Sequence, residues 1–202
     1  MSGVKIALEG VQIPEQDGQV LNYVHPEAAA AQNYFDPLRR ILFVNGMRNS
    51  GRAHAESALA LSLVQMAPVI GLYNRSGGVG VDLRQCWQDK LLFHGLPGLR
   101  TGQQLVKAKQ RPVAERLMEA RRVLARNAAS LALFEELRKP ANRRTEIFAH
   151  SQGNLIVSNA LQALELVDGA AAVSGRVVHS FGSPAANWPK GWNRRCSSSV
   201  CS

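Results

Sequence analysis

One serine lies in a setting that suits nucleophilic chemistry. Ser151 stands between an apolar stretch at residues 145–149, TEIFA, and an amphipathic stretch at 154–167, NLIVSNALQALELV. A strand, a tight turn and a helix in this order raise a serine hydroxyl above a sheet edge, facing the amino-terminal end of the helix. Ala149 and Gly153, two residues before and after the serine, are small enough to let the two backbones approach. The pattern predicts that Ser151 is the nucleophile of a nucleophile elbow; the alternative is an ordinary strand-to-helix turn.

Acyl transfer at such a serine also needs two backbone N–H groups aimed at the developing oxyanion. The residue after the nucleophile, Gln152, is predicted to supply one of them. The second is predicted at Met47, because Asn45 and Gly46 follow the apolar residues 41–44 and the glycine lets the backbone come close. An Asn-Gly pair alone is only a turn signal. His150 adjoins the serine, but adjacent residues in a tight turn project differently, so we expect it to pack beside the elbow and not to act as the base.

The elements that must position these residues alternate between strand and helix patterns. This alternation predicts an α/β fold, a three-layer sandwich with a mainly parallel sheet flanked by helices. Predicted strands are 40–44, 68–73, 145–149 and 176–181, with an edge strand at 5–13; predicted helices are 25–35, 53–65, 83–93, 113–134 and 154–167. In the helix at 113–134, apolar residues repeat every three or four positions, and Pro140 follows its end.

The chain has 202 residues, 46% of them hydrophobic, which is enough for one domain with its own core. We expect a weakly patterned N-terminal extension at 1–39, the α/β domain at 40–190 and an irregular tail at 191–202. The uncharged run at 57–74 has the length of a membrane span, but Gln65 and Pro68 interrupt it, so it is interpreted as a buried helix followed by a strand. The first residues lack the apolar core of an export signal, which predicts a cytoplasmic protein or one exported without a cleavable signal.

Three segments together resemble the α/β-hydrolase superfamily, in particular its bacterial lipase-like and esterase-like branch: FVNGMRN (43–49), FAHSQGN (148–154) and VVHSFGSPA (177–185). The resemblance implies a hydrolase of acyl esters whose catalytic acid and histidine follow the serine along the chain. Glu165, Asp168 and His179 are the acids and histidine that follow it, and none falls on a loop at the nucleophile's sheet edge. We therefore expect a C-terminally truncated or frame-shifted chain with an incomplete triad, inactive or weakly active. The alternative is a non-catalytic binding protein.

The formal net charge is +9, and most of this excess lies at 101–144, a segment that contains 11 basic and 4 acidic residues. Such a segment is most often a solvated helix face; an anionic membrane surface or nucleic acid are the alternatives. The scarcity of aromatic residues among these arginines argues against nucleic acid. The expected partner is a small-molecule or lipid ester, and an open edge at the strand 176–181 would allow self-association. Three cysteines and scattered histidines give no metal-binding spacing, and no cofactor is expected.

Overall fold

The computed structural model describes residues 8–75, 110–183, 188–189 and 193–196. Within them, six strands and five α-helices alternate, with two short 3₁₀ turns at Pro140–Asn142 and Ala170–Ala172. In chain order the elements are β1 (Val20–Tyr23), α1 (Pro26–Ala30), β2 (Ile41–Val44), α2 (Gly51–Gln65), β3 (Val69–Leu72), α3 (Val113–Leu124), α4 (Ala128–Arg138), β4 (Glu146–His150), α5 (Gly153–Asp168), β5 (Val177–Phe181) and β6 (Asn193–Cys196).

The strands form one sheet in the order β1-β3-β2-β4-β5-β6. All pairs are parallel except β1 with β3, which is antiparallel. The strands β2 and β4 are neighbours, with Val44 opposite Ala149. The loop after β2 and the turn after β4 therefore leave the sheet side by side at its carboxyl edge. This confirms the predicted α/β fold with a mainly parallel sheet and flanking helices.

Helices cover both faces of the sheet, and each face has its own apolar cluster. On one face α3, α4 and α5 pack against alternate strand residues such as Leu42, Ile147 and Val178. On the other face α2 packs against Ile41, Val69 and their neighbours. The helix α2 begins at a serine cap, since the Ser50 side chain accepts the Ala53 amide at 3.1 Å.

The uncharged run at 57–74 is the end of α2 followed by β3, as predicted. No described helix has the length and apolarity needed to cross a membrane. The strands predicted at 40–44, 68–73, 145–149 and 176–181 and the helices predicted at 53–65 and 154–167 are present within two residues of their predicted bounds, and the helix predicted at 25–35 is the shorter α1. The helix predicted at 83–93 and the loop after it lie outside the described residues.

Three expectations were wrong. The described part of the predicted edge strand, residues 8–13, is not a strand, and the real edge strand is β1, so the sheet begins inside the supposed N-terminal extension. The helix predicted at 113–134 is two helices, because Asn127 caps α4 by accepting the Ser130 amide at 2.7 Å. The tail expected to be irregular contains β6, which pairs with β5 and covers the edge that was expected to be open.

Candidate active site

Ser151 lies in the tight turn between β4 and α5, with a backbone φ of +51°. A residue with a β-carbon is strained in this left-handed region, and strain of about 1–3 kcal/mol persists only where the surrounding structure enforces it. The Ser151 amide donates to the Phe181 carbonyl at the end of β5, at 2.8 Å. This bond helps to hold the turn in its strained form.

Two glycines allow the turn and the loop after β2 to touch. A methyl group on the Gly153 α-carbon would lie 2.5 Å from the Val44 carbonyl oxygen. A methyl group on the Gly46 α-carbon would lie 2.8 Å from the Ser151 β-carbon. The start of α5 and the loop after β2 are therefore in backbone contact; the small residue at Gly153 was predicted for the approach of β4 to α5, whereas the backbone it lies against is that of Val44 and Asn45. Met47 is the next residue after Gly46, the glycine that approaches Ser151.

The loop that carries Met47 is itself strained. Arg48, the next residue, has a φ of +63°. Of the three non-glycine residues with positive φ in the described chain, Arg48 and Ser151 lie at this site, and the third, Met66, caps the end of α2. Within the described residues the Met47 amide makes no hydrogen bond.

Asn154, in the first turn of α5, fastens the elbow from inside. Its side-chain amide donates to the carbonyl oxygens of Ala149 at 3.3 Å, Ser151 at 3.1 Å and Phe181 at 3.1 Å. Its carbonyl oxygen accepts the Ser180 hydroxyl at 2.6 Å. Asn154 is fully buried, so these bonds replace water as its partners and bind β4, the turn and β5 into one unit.

A second buried network joins the loop after β2 to the turn after β4. The Asn45 side chain makes two bonds to the backbone of Asn74. Its Nδ2 donates to the Asn74 backbone carbonyl at 2.7 Å, and its Oδ1 accepts the Asn74 backbone N–H at 2.8 Å. The Asn74 side chain in turn donates to Gln152 Oε1 at 3.0 Å. These bonds join the ends of β2, β3 and β4. Gln152, the N-cap residue of α5, is held in place by the hydrogen bond to its side chain.

His54 lies beneath this network, on α2. Its Nδ1 is 2.9 Å from Asn45 Oδ1, and its ring stacks on Phe43 with 5.2 Å between centroids. The ring is fully buried, and Nε2 has no hydrogen-bond partner within the described residues. Burial lowers the pKa of His54 to about 4, so the ring is neutral at physiological pH. It holds Asn45 in place and is not accessible as a base.

The acids and the histidine that follow Ser151 in sequence lie elsewhere. His179 Nε2 is 2.9 Å from Glu146 Oε2 at the other end of β4, and the ring stacks on Phe148 at 4.2 Å. Asp168 pairs with Arg138 at 2.8 Å, at the far end of α5. Glu165 is about 18 Å along α5 from its start, at 1.5 Å per residue. Within the described residues, no histidine or carboxylate hydrogen-bonds to the Ser151 hydroxyl.

An apolar groove of about 450 Å³ runs from His150 across the α2 face of the sheet. Aromatic side chains from three neighbouring strands line it, namely Phe43, Phe148 and Phe181, opposite Leu61 and Val64 of α2. His150 lies at its end and is exposed, and its Nδ1 is 2.9 Å from where a methyl group on the Gly46 α-carbon would lie, so the ring lies beside the elbow, against the loop after β2. The volume lies in the range of small-molecule sites.

Four of the nine described cations of the basic segment are ion-paired, namely Arg121, Arg122, Arg138 and Lys139. Arg121 pairs with Glu135 at 2.7 Å, and Arg122 pairs with Glu119 at 2.7 Å. Arg116 donates to the Leu166 carbonyl on α5 at 2.6 Å. These contacts are typical of a solvated helix face, the first of the three interpretations of this segment.

The sequence therefore identified the serine, the loop after β2 and the small residues around them, and the structure brings all of these together. It missed Asn154, Ser180, Asn74 and His54, which hold the turn and the loop in place. The signal at Asn154 was available: a polar residue on the first turn of a helix that is otherwise buried and apolar. No protein-family model, curated protein or solved structure matches this chain.

Proposed function

We propose that this protein is a serine hydrolase of acyl esters with a partial α/β-hydrolase fold, and that Ser151 is its nucleophile. The observation that carries the proposal is the left-handed backbone of Ser151 in the turn between β4 and α5. Strain at a non-glycine residue is uncommon outside functional sites, and here two networks of buried polar groups maintain it.

The chemistry divides between the serine and the two amides. The Ser151 oxygen attacks the ester carbonyl carbon, and the carbonyl oxygen becomes an oxyanion that accepts the N–H groups of Met47 and Gln152. Collapse of this intermediate expels the alkoxide, which takes up the proton that the serine hydroxyl released to solvent, and leaves an acyl group on Ser151. Water then adds to the acyl carbon and releases the carboxylic acid, and the serine oxygen regains a proton. The apolar groove beside His150 offers surface for the acyl chain.

The proton of the serine hydroxyl limits the rate. Because no histidine or carboxylate among the described residues accepts it, we expect turnover near that of serine hydrolases stripped of their triad, about 10³–10⁴ above the uncatalysed reaction. In this chain the two amides and substrate binding assist attack by the unactivated Ser151 hydroxyl, so we expect the slow turnover to pass through the Ser151 oxygen.

Hydrolysis of p-nitrophenyl butyrate tests the proposal. We expect slow turnover by the wild type, its loss in Ser151→Ala, and its retention in Ser174→Ala, a control at an exposed serine at the amino edge of the sheet. Turnover that survives Ser151→Ala would contradict the assignment of the nucleophile. If the wild type instead hydrolyses the ester at a full enzymatic rate and Ser151→Ala abolishes it, the assignment of Ser151 as nucleophile stands and the expectation of weak activity is overturned.

A further inference from the structure

A second cavity lies at the opposite, amino edge of the sheet, away from Ser151. It has a volume of about 360 Å³ and is formed by the end of α4, the residues before β4 and β5, and the end of α5. Four of its lining residues are cationic and one is acidic: Arg138, Lys139, Arg143, Arg176 and Asp168. This charge composition differs from that of the apolar groove near the elbow.

Arg176 forms the floor of this cavity and is 2% exposed. Its guanidinium donates to three backbone carbonyls, those of Ala172 at 2.9 Å, Asn142 at 2.9 Å and Leu137 at 2.7 Å. Within the described chain it has no carboxylate partner. Carbonyl dipoles satisfy part of its hydrogen-bonding capacity but leave a full positive charge below the surface, where charges are ordinarily paired.

The surroundings of the Arg176 guanidinium lower its pKa. Burial and, to a smaller extent, the nearby charge of Arg143 lower the pKa of Arg176 to about 10. Both effects disfavour the charged form. An anion in the cavity would oppose both of them.

The remaining charges around the cavity compensate one another. Arg138 pairs with Asp168, and Lys139 pairs with Glu136 just outside the cavity. Arg143 is exposed and has no ion pair within the described residues. Two unbalanced cations therefore remain among the described lining residues, Arg176 buried at the floor and Arg143 exposed.

We propose that this cavity binds a phosphate group as its dianion, with Arg176 supplying fixed charge from below and Arg143 donating to the phosphate oxygens. A dianion matches the two unbalanced charges. Guanidinium groups bind phosphate through paired, charge-assisted hydrogen bonds, which favours phosphate over a single carboxylate. The site is separate from the elbow, and the proposal does not depend on hydrolase activity.

Inorganic phosphate is the first probe, at pH 8 where it is mainly dianionic. We expect sodium phosphate to raise the melting temperature of the wild type above that in sodium chloride of equal ionic strength. Titration calorimetry should give a dissociation constant that rises about tenfold in Arg143→Gln, since one charge-assisted interaction is removed. Arg144→Gln, the same change at the next residue, which lines a different cavity, should leave it unchanged.

Arg176→Met would remove three hydrogen bonds to carbonyls as well as a charge, so it would test the fold together with binding. Arg143 and Arg144 are both exposed, so their substitution tests binding without disturbing the core. The proposal is overturned if phosphate stabilises no more than chloride, or if Arg143→Gln and Arg144→Gln weaken binding equally. Vesicles of phosphatidylcholine with and without phosphatidic acid distinguish the source. Retention on the phosphatidic acid vesicles, lost in Arg143→Gln, identifies a lipid headgroup; an effect of free phosphate alone identifies a soluble ligand.

Discussion

The contact between α5 and the loop after β2 can be tested by adding one methyl group. In Gly153→Ala the new β-carbon would lie 2.5 Å from the Val44 carbonyl oxygen and 2.9 Å from that of Asn45. Both neighbours are backbone atoms at the end of β2, so neither can rotate away as a side chain would. The start of α5 and the loop must separate by several tenths of an ångström.

In an uncrowded helix, glycine to alanine stabilises by roughly 0.5–1 kcal/mol. Overpacking of this kind costs about 1–3 kcal/mol, so we expect a net loss of about 1–2 kcal/mol. For a chain of this size each kcal/mol lowers Tm by roughly 2–4 °C. Urea unfolding followed by circular dichroism measures the free energy, and ester hydrolysis measured in parallel should fall, because the Met47 amide moves with the loop.

Gly175→Ala is a control, since no atom lies within 4 Å of its added methyl group. Its φ of +80° gives it a backbone cost of about 1 kcal/mol without any effect on hydrolysis. If Gly153→Ala stabilises the protein as an ordinary helix substitution does, the close approach of α5 and β2 is refuted.

Three further outcomes follow from the same geometry. Ser151→Gly should be more stable than Ser151→Ala by about 1 kcal/mol in urea unfolding, because only glycine adopts a φ of +51° without strain; the reverse order would contradict the turn. Asn154→Ala should lose about 2–3 kcal/mol of unfolding free energy, whereas exposed Asn33→Ala should stay within about 0.5 kcal/mol; equal effects would contradict the buried network. His54 has its pKa lowered to about 4 when folded, so the unfolded chain takes up the proton first and stability is lost as pH falls from 6.5 towards 4. The loss attributable to this ring is about 3 kcal/mol, and the difference between wild type and His54→Gln across that pH range measures it; a constant difference would mean that the ring is not buried as described.

Features encoded in short stretches of sequence were predictable. The elbow depends on residues 145–167, where a strand pattern, small flanking residues and a helix pattern follow one another directly. The apolar runs of β2, β3 and β4 are buried on both faces, so their composition alone marks them as strands.

Features that depend on distant partners were not predictable. The strand β1 has only four residues, VLNY, and it is stabilised by antiparallel pairing with β3, where Val20 lies opposite Leu72. The apolar stripe of α3 and α4 keeps its helical spacing across the break, because Leu124 and Ala128 are four residues apart. Only the cap at Asn127 marks the interruption.

The hydrogen-bond networks at the site also depend on partners that are distant in sequence. Asn74 reaches Gln152 across 78 positions of sequence, and Asn154 reaches Phe181 across 27. No local pattern encodes such pairs. Asparagine at a strand end or at the start of a helix indicates only a turn or a cap until the fold brings its partners together.

The most direct test of the central claim is covalent labelling of the folded protein with a fluorophosphonate, followed by peptide mapping by mass spectrometry. Displacement of fluoride by the Ser151 oxygen should give one adduct per chain, on Ser151, forming slowly and faster as pH rises because no base activates the hydroxyl. Ser174→Ala should label as the wild type does, and Ser151→Ala should not label. Absence of an adduct on Ser151, or labelling spread equally over exposed serines such as Ser174, would contradict the assignment of Ser151 as a nucleophile held above two amide donors.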